Sequence, residues 1–90
     1  MASLMVPDDI MFHPKIAEIG ASAAWLFICG LCYCARYETK GYIHKWMVPR
    51  LADVWGGDVG DCASGLVVSG LWALEGDYYF VLDWLGVEVR

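Results

Sequence analysis

Leu71-Trp72-Ala73-Leu74-Glu75-Gly76-Asp77-Tyr78-Tyr79-Phe80-Val81-Leu82 reads as a β-hairpin. Two β-prone runs, Leu71 to Leu74 and Tyr78 to Leu82, flank Gly76-Asp77, which has the composition of a two-residue hairpin loop. Upstream, Gly56-Gly57 and Gly60 mark a loop, and Asp58 or Asp61 can cap a short helix, about Asp61 to Ser69, ending near Ser69-Gly70. A further helical stretch, about Lys45 to Trp55, contains Pro49, which must begin a second segment or kink the first.

Further toward the N-terminus, Tyr42-Ile43 is a short strand-like pair behind the turn Glu38-Thr39-Lys40-Gly41. Ser22 offers a cap for the longest helix, about Ala23 to Tyr37. Pro14 suits the first turn of a shorter helix through Ile19, stopped by Gly20, and Ser3 to Val6 reads as an edge strand ended by Pro7. The long helix lacks a polar face. Ala21, Ala24, Trp25, Ile28, Leu31, Cys32 and Ala35 line one side, while Leu26, Gly30, Tyr33 and Tyr37 recur on the other. Two readings follow: a central helix packed between other helices and a small sheet, or a dimer or partner interface formed by Leu26, Tyr33 and Tyr37.

The element order is strand, short helix, long helix, strand, helix, short helix and hairpin. The expected fold is therefore α+β, a single small winged-helix-like domain over residues 1–90, with a helix-turn-helix core and a C-terminal hairpin as wing. At 90 residues and 59% hydrophobic content there is material for one packed core, which excludes a multidomain enzyme, and a charged fraction of 19% argues against disorder.

Charge is segregated. Six Lys and Arg against eleven Asp and Glu give a net −5, the wrong sign for a generic nucleic-acid binder. Residues 15–50 carry Lys15, Arg36, Lys40, Lys45 and Arg50 against Glu18 and Glu38, a net +3, whereas residues 51–89 carry seven acids and no Lys or Arg. The helix expected to read DNA contains no Arg, Lys, Asn or Gln for base edges, and the wing tip Glu75-Gly76-Asp77 would meet phosphates with like charge. The candidate nucleic-acid contacts are Lys40, Lys45 and Arg50.

Phe12-His13-Pro14-Lys15, Ala24-Trp25-Leu26, Thr39-x-Gly41-Tyr42-Ile43, Val48-Pro49-Arg50-Leu51-Ala52, Leu66-Val67-x-x-Gly70-Leu71-Trp72 and Asp83-Trp84-Leu85 span nearly the whole chain. In these segments it resembles the winged-helix domain at the start of replication-initiation-type proteins of actinobacterial phages and prophages. The resemblance implies nucleic-acid binding in phage replication or gene regulation. In those longer proteins the Asp-Trp-Leu segment leads into a polar, basic region; here only Gly86 to Arg90 follow, so a stand-alone domain is expected.

The alternative is a protein-interaction module, with the acidic wing side or the aromatic helix face engaging a host or phage protein or another copy of the chain. Candidate partners are thus double-stranded DNA, a basic protein, or a homodimer mate. His13 and His44 belong to no catalytic constellation and are expected near helix starts, so no enzyme activity is expected. The four cysteines, Cys29, Cys32, Cys34 and Cys62, read as small buried hydrophobes, because Cys34 lies far around the helix from Cys29 and Cys32; no metal or cofactor is expected. No secretory signal is visible and the uncharged run Ile19 to Ala35 is short for a spanning helix, so the expectation is a cytoplasmic protein of a bacterial host without membrane contact.

Overall fold

His13 starts the main helix by accepting a hydrogen bond, its Nδ1 facing the Lys15 amide at 3.2 Å. Pro14 occupies the first turn, where the lack of an N–H costs nothing, and α1 runs Pro14–Tyr37. The stop expected at Gly20 takes the form of a break inside this helix: Gly20 adopts φ 83°, ψ 172°, and helical geometry resumes beyond it. The helix ends where Glu38 turns left-handed at φ 52°, and the Cys34 carbonyl accepts from the Glu38 and Thr39 amides. The computed structural model describes residues 3–51 and 59–90.

The remaining elements are β1 (Leu4–Met5), β2 (Tyr42–His44), α2 (Val48–Leu51), α3 (Val59–Val68), β3 (Trp72–Glu75), β4 (Tyr78–Val81) and β5 (Glu88–Val89), with 3-10 turns at Ile10–Phe12 and Lys45–Met47. The chain is α+β. The hairpin forms as the sequence predicts: Trp72 pairs with Val81 and Glu75 with Tyr78, leaving Gly76-Asp77 as the turn. Gly76 sits at φ 60°, the first position of a tight turn that disfavours side chains with a Cβ. The other side of β4 pairs with β2, so the three-stranded antiparallel sheet has the order β2-β4-β3. Separately, β1 pairs with β5 as an antiparallel ribbon, giving the expected N-terminal edge strand a partner that the sequence did not reveal.

Pro49 stands in the first turn of α2, the outcome in which it begins a second segment. Residues 52–55 of the expected helix, the Gly56-Gly57 loop and the Asp58 cap lie outside the described residues. Gly60 was expected in a loop but lies inside α3, which begins at Val59, with Asp61 in its first turn where the helix dipole favours an acid.

One inward stripe of α1, Ala23, Leu26, Phe27, Gly30, Leu31, Cys34 and Ala35, faces α3 and the sheet. Leu26, Phe27, Leu31, Ile43, Leu66, Leu71, Trp72 and Val81 are fully buried there. Each contributes roughly 1.5–3 kcal/mol by leaving water. Gly30 sets the depth of the packing: a Cβ built on it would lie 2.8 Å from Trp72 Cζ2 and 3.0 Å from Ile43 Cδ1.

This stripe corrects the expected division of α1 into two buried sides. Leu26, proposed for an external interface, is 0% exposed and belongs to the core, whereas Trp25 and Tyr37 face outward. An apolar pattern all round a helix leaves the inward direction open. Here Gly30 lies on the inward side, where the absence of a Cβ lets Trp72 and Ile43 approach the helix.

Candidate interaction surfaces

Strand alternation and register together place rings on the outer face of the sheet. Ile43 points into the core, so Tyr42 and His44 point outward, and their partners across the ladder are Phe80 and Tyr78. Tyr42 lies 4.8 Å from Phe80 and 6.1 Å from Tyr78 between ring centroids; His44 lies 4.9 Å from Tyr78 and 5.3 Å from Trp46. Tyr42, Tyr78 and Trp46 remain 44%, 45% and 55% exposed. The Arg50 guanidinium sits over the Trp46 ring at 5.2 Å, a cation–π contact.

The three cations singled out from the sequence are exposed but do not cluster. Lys40 precedes β2 and Lys45 follows it, so the strand separates them. Arg50, through Trp46, lies at the Lys45 end. The Lys45 amide donates to the Asp77 carbonyl at 2.8 Å, which sets Lys45 beside the acidic hairpin tip. Among the described residues none of the three forms an ion pair; Lys15 instead pairs with Asp83 at 3.5 Å. Asp83 also accepts from the Leu85 amide at 2.9 Å, and these bonds, the amide foremost, hold its carboxyl below the usual carboxylate range. Outward on α3 stand Asp61, Ser64 and Val68, the last 85% exposed.

A second surface lies on the outer side of α1. Trp25 and Tyr37 are 54% and 62% exposed there, and Met11 and Phe12 on the preceding 3-10 turn are 67% and 78% exposed. Shallow apolar grooves of about 310 Å³ and about 270 Å³ meet at Trp25 and Ile28. Tyr33, half-buried, touches Tyr37 at 5.1 Å, so these two residues of the expected interface do come together, without Leu26.

No family model, curated protein or solved structure matches the chain.

Both histidines act as helix caps, His44 Nδ1 accepting from the Trp46 amide at 3.4 Å as His13 does for α1. Of the four cysteines expected as small buried hydrophobes only Cys34 is buried, its Sγ 4.0 Å from the Tyr42 carbonyl; Cys29 and Cys62 are half-buried and Cys32 is exposed, because it falls on the outer side of α1. Burial pushes the Cys34 thiol up, and burial followed by the Cys32 neighbour does so for Cys29. Among the described residues, no three His, Cys, Asp or Glu side chains converge on a metal-sized site. By length and composition α1 could cross a membrane. Its uninterrupted part, Ala21 to Tyr37, spans about 25 Å at 1.5 Å per residue, against a hydrocarbon thickness of about 30 Å.

The outer face of the sheet was missed from sequence. Its signal is the alternation Tyr42/His44 and Tyr78/Phe80, legible only once β2 is known to pair with β4.

Proposed function

We propose that this chain is a winged-helix nucleic-acid-binding protein of a phage or prophage, acting in replication or gene control in the host cytoplasm, and that it binds through the β2 surface. The winged-helix reading is supported by the order α1, β2, α2, α3, β3, β4 and by the placement of β2 against β4, which lets the hairpin project as a wing. The observation that carries the function is the pair of cationic ends on β2, Lys40 at one and Lys45 with Arg50 at the other, beside exposed rings. The alternative docking, α3 in a groove, has Asp61, Ser64 and Val68 outward and Glu75 and Asp77 at the wing. That surface offers no Arg, Lys, Asn or Gln for bidentate base contacts, and its carboxylates repel phosphates.

Three phosphate contacts on a duplex give a salt slope of about −2.7, an affinity loss of about 40-fold between 50 and 200 mM salt. Fluorescence anisotropy of labelled DNA at these two concentrations tests the reading. Lys45→Ala with Arg50→Ala is expected to weaken binding and flatten the slope; absence of binding at 50 mM salt refutes the proposal.

The outer face of α1 favours a second reading, a protein-interaction module. Met11, Trp25 and Tyr37 line adjoining apolar grooves and are exposed, a more extensive apolar surface than single scattered side chains make, and such surfaces mark partner contacts. The partner is a second copy of the chain or a host or phage protein; a basic protein would instead suit the acidic hairpin side.

A further inference from the structure

We infer that the outward face of the sheet is a stacking platform for the bases of a single-stranded nucleic acid. This rests on the nucleic-acid reading above and specifies its substrate. The solvent side of an antiparallel sheet normally carries polar side chains. Here the outward positions of β2 and β4 are all rings, Tyr42, His44, Tyr78 and Phe80, and Trp46 extends the row beyond the strand end. Cross-strand packing of rings stabilises a sheet modestly, but it does not require rings that stay nearly half exposed.

Their mutual geometry leaves faces available. The pairs meet at 46° to 88°, tilted or edge-on, so they do not consume one another's faces as flat stacking would. A duplex keeps the faces of its bases within its own stack and could offer this surface only phosphates. A single strand offers both, and sheet-borne rings with flanking cations are the means by which proteins hold it.

Charge complementarity fixes the path. β2 is an edge strand, and Lys40 and Lys45 stand at its two ends, with Arg50 over Trp46. The opposite edge strand, β3, puts Glu75 outward beside Tyr78, while Asp77 at the tip lies beside Lys45. The backbone therefore runs along β2, with its phosphates on the Lys40 and Lys45 edge and its bases turned over Tyr42 and Phe80. Lys40 and Lys45 are five residues apart, at most about 17 Å of chain, room for a few nucleotides.

The test compares a labelled oligo-dT of about 12 nucleotides with a duplex of equal length, by anisotropy at about 50 and 200 mM salt. The single strand is expected to bind more tightly, with a slope near −2 for three contacts, about a 20-fold loss over that range. Tyr42→Val and Tyr78→Thr keep β-prone side chains while removing the rings, and each is expected to lower oligo-dT affinity by about 5-fold or more with the slope unchanged. Glu75→Gln, which removes no packing, is expected to raise it. Preference for the duplex, with the tyrosine variants and Glu75→Gln all binding like wild type, overturns this inference and leaves the broader reading standing. Failure of both probes to bind at low salt overturns both.

Discussion

Replacing Gly30 by alanine adds one methyl group where α1 meets the sheet. In an exposed helix that exchange stabilises by about 1 kcal/mol, because alanine restricts the unfolded backbone and glycine does not. At this position the methyl carbon would lie 2.8 Å from Trp72 Cζ2 and 3.0 Å from Ile43 Cδ1, whereas non-bonded carbons rest at about 3.5–4.0 Å. Trp72 is 1% exposed and Ile43 0%, so neither can swing into solvent; relief requires moving α1 and the sheet apart. Overpacking of this kind costs about 1–3 kcal/mol, and toward the upper end of that range the helix gain leaves a net loss of about 1–2 kcal/mol.

For 90 residues the unfolding entropy is about 0.19 kcal/mol/K, so Gly30→Ala is expected to lower Tm by about 5–10 °C in a scan followed by circular dichroism. Trp72→Phe removes the ring atom that meets the methyl, and also removes a buried indole N–H that has no hydrogen-bond partner among the described residues. In a double-mutant cycle the pair should therefore couple favourably, by about 0.5–3 kcal/mol. An unchanged or raised Tm for Gly30→Ala, or zero coupling, refutes the account of how α1 packs.

Further expectations concern the termini of elements and the outer surfaces. Asp83→Ala, which loses the Leu85 amide and Lys15, should cost about 1 kcal/mol in urea unfolding, and Asp83→Asn, which can keep the amide bond, should cost less. Because the folded carboxyl is held below its usual value, its stabilisation is present above about pH 4 and is lost as the pH falls through the folded value; Asp83→Asn should lack that loss. The effect will be small and screened by salt, since the Asp83 side chain is 44% exposed. Gly76→Ala places a Cβ at φ 60° in the hairpin turn and should cost about 1 kcal/mol by the same assay. If the outer side of α1 joins two copies, light scattering should find a dimer for wild type and a monomer for Tyr37→Glu or Tyr33→Glu; a monomer for all removes self-association and leaves only a different partner for that face.

The hairpin was legible because alternation and a glycine turn point the same way over residues 71–82. α1 was legible only as two helices, one begun by Pro14 and one expected to be capped by Ser22; Gly20 breaks the helix without ending it, so Ser22 lies inside α1 and does not begin it. Gly60 misled because glycine weakens a helix without forbidding it, so a loop-like composition was no boundary. β5 is a two-residue strand, too short to show any period; only the ribbon with β1 defines it. For the candidate site, charge was readable as composition but not as position. Lys40, Lys45 and Arg50 are close in sequence, yet β2 holds Lys40 apart from the other two, and it takes a long-range pairing to set Tyr42 and His44 beside Tyr78 and Phe80.

The ribbon of β1 and β5 also determines how the domain answers to force. Ser3 and Arg90 exchange two backbone hydrogen bonds, at 2.6 and 2.7 Å, and so lie together at one end of the ribbon. Tension drawn through the ends loads these bonds one pair at a time, as in unzipping, instead of sharing the load among them as in shear. The clasp should open at low force, well before α1 and the three-stranded sheet are disturbed, so that the molecule lengthens in two mechanical steps of unequal strength.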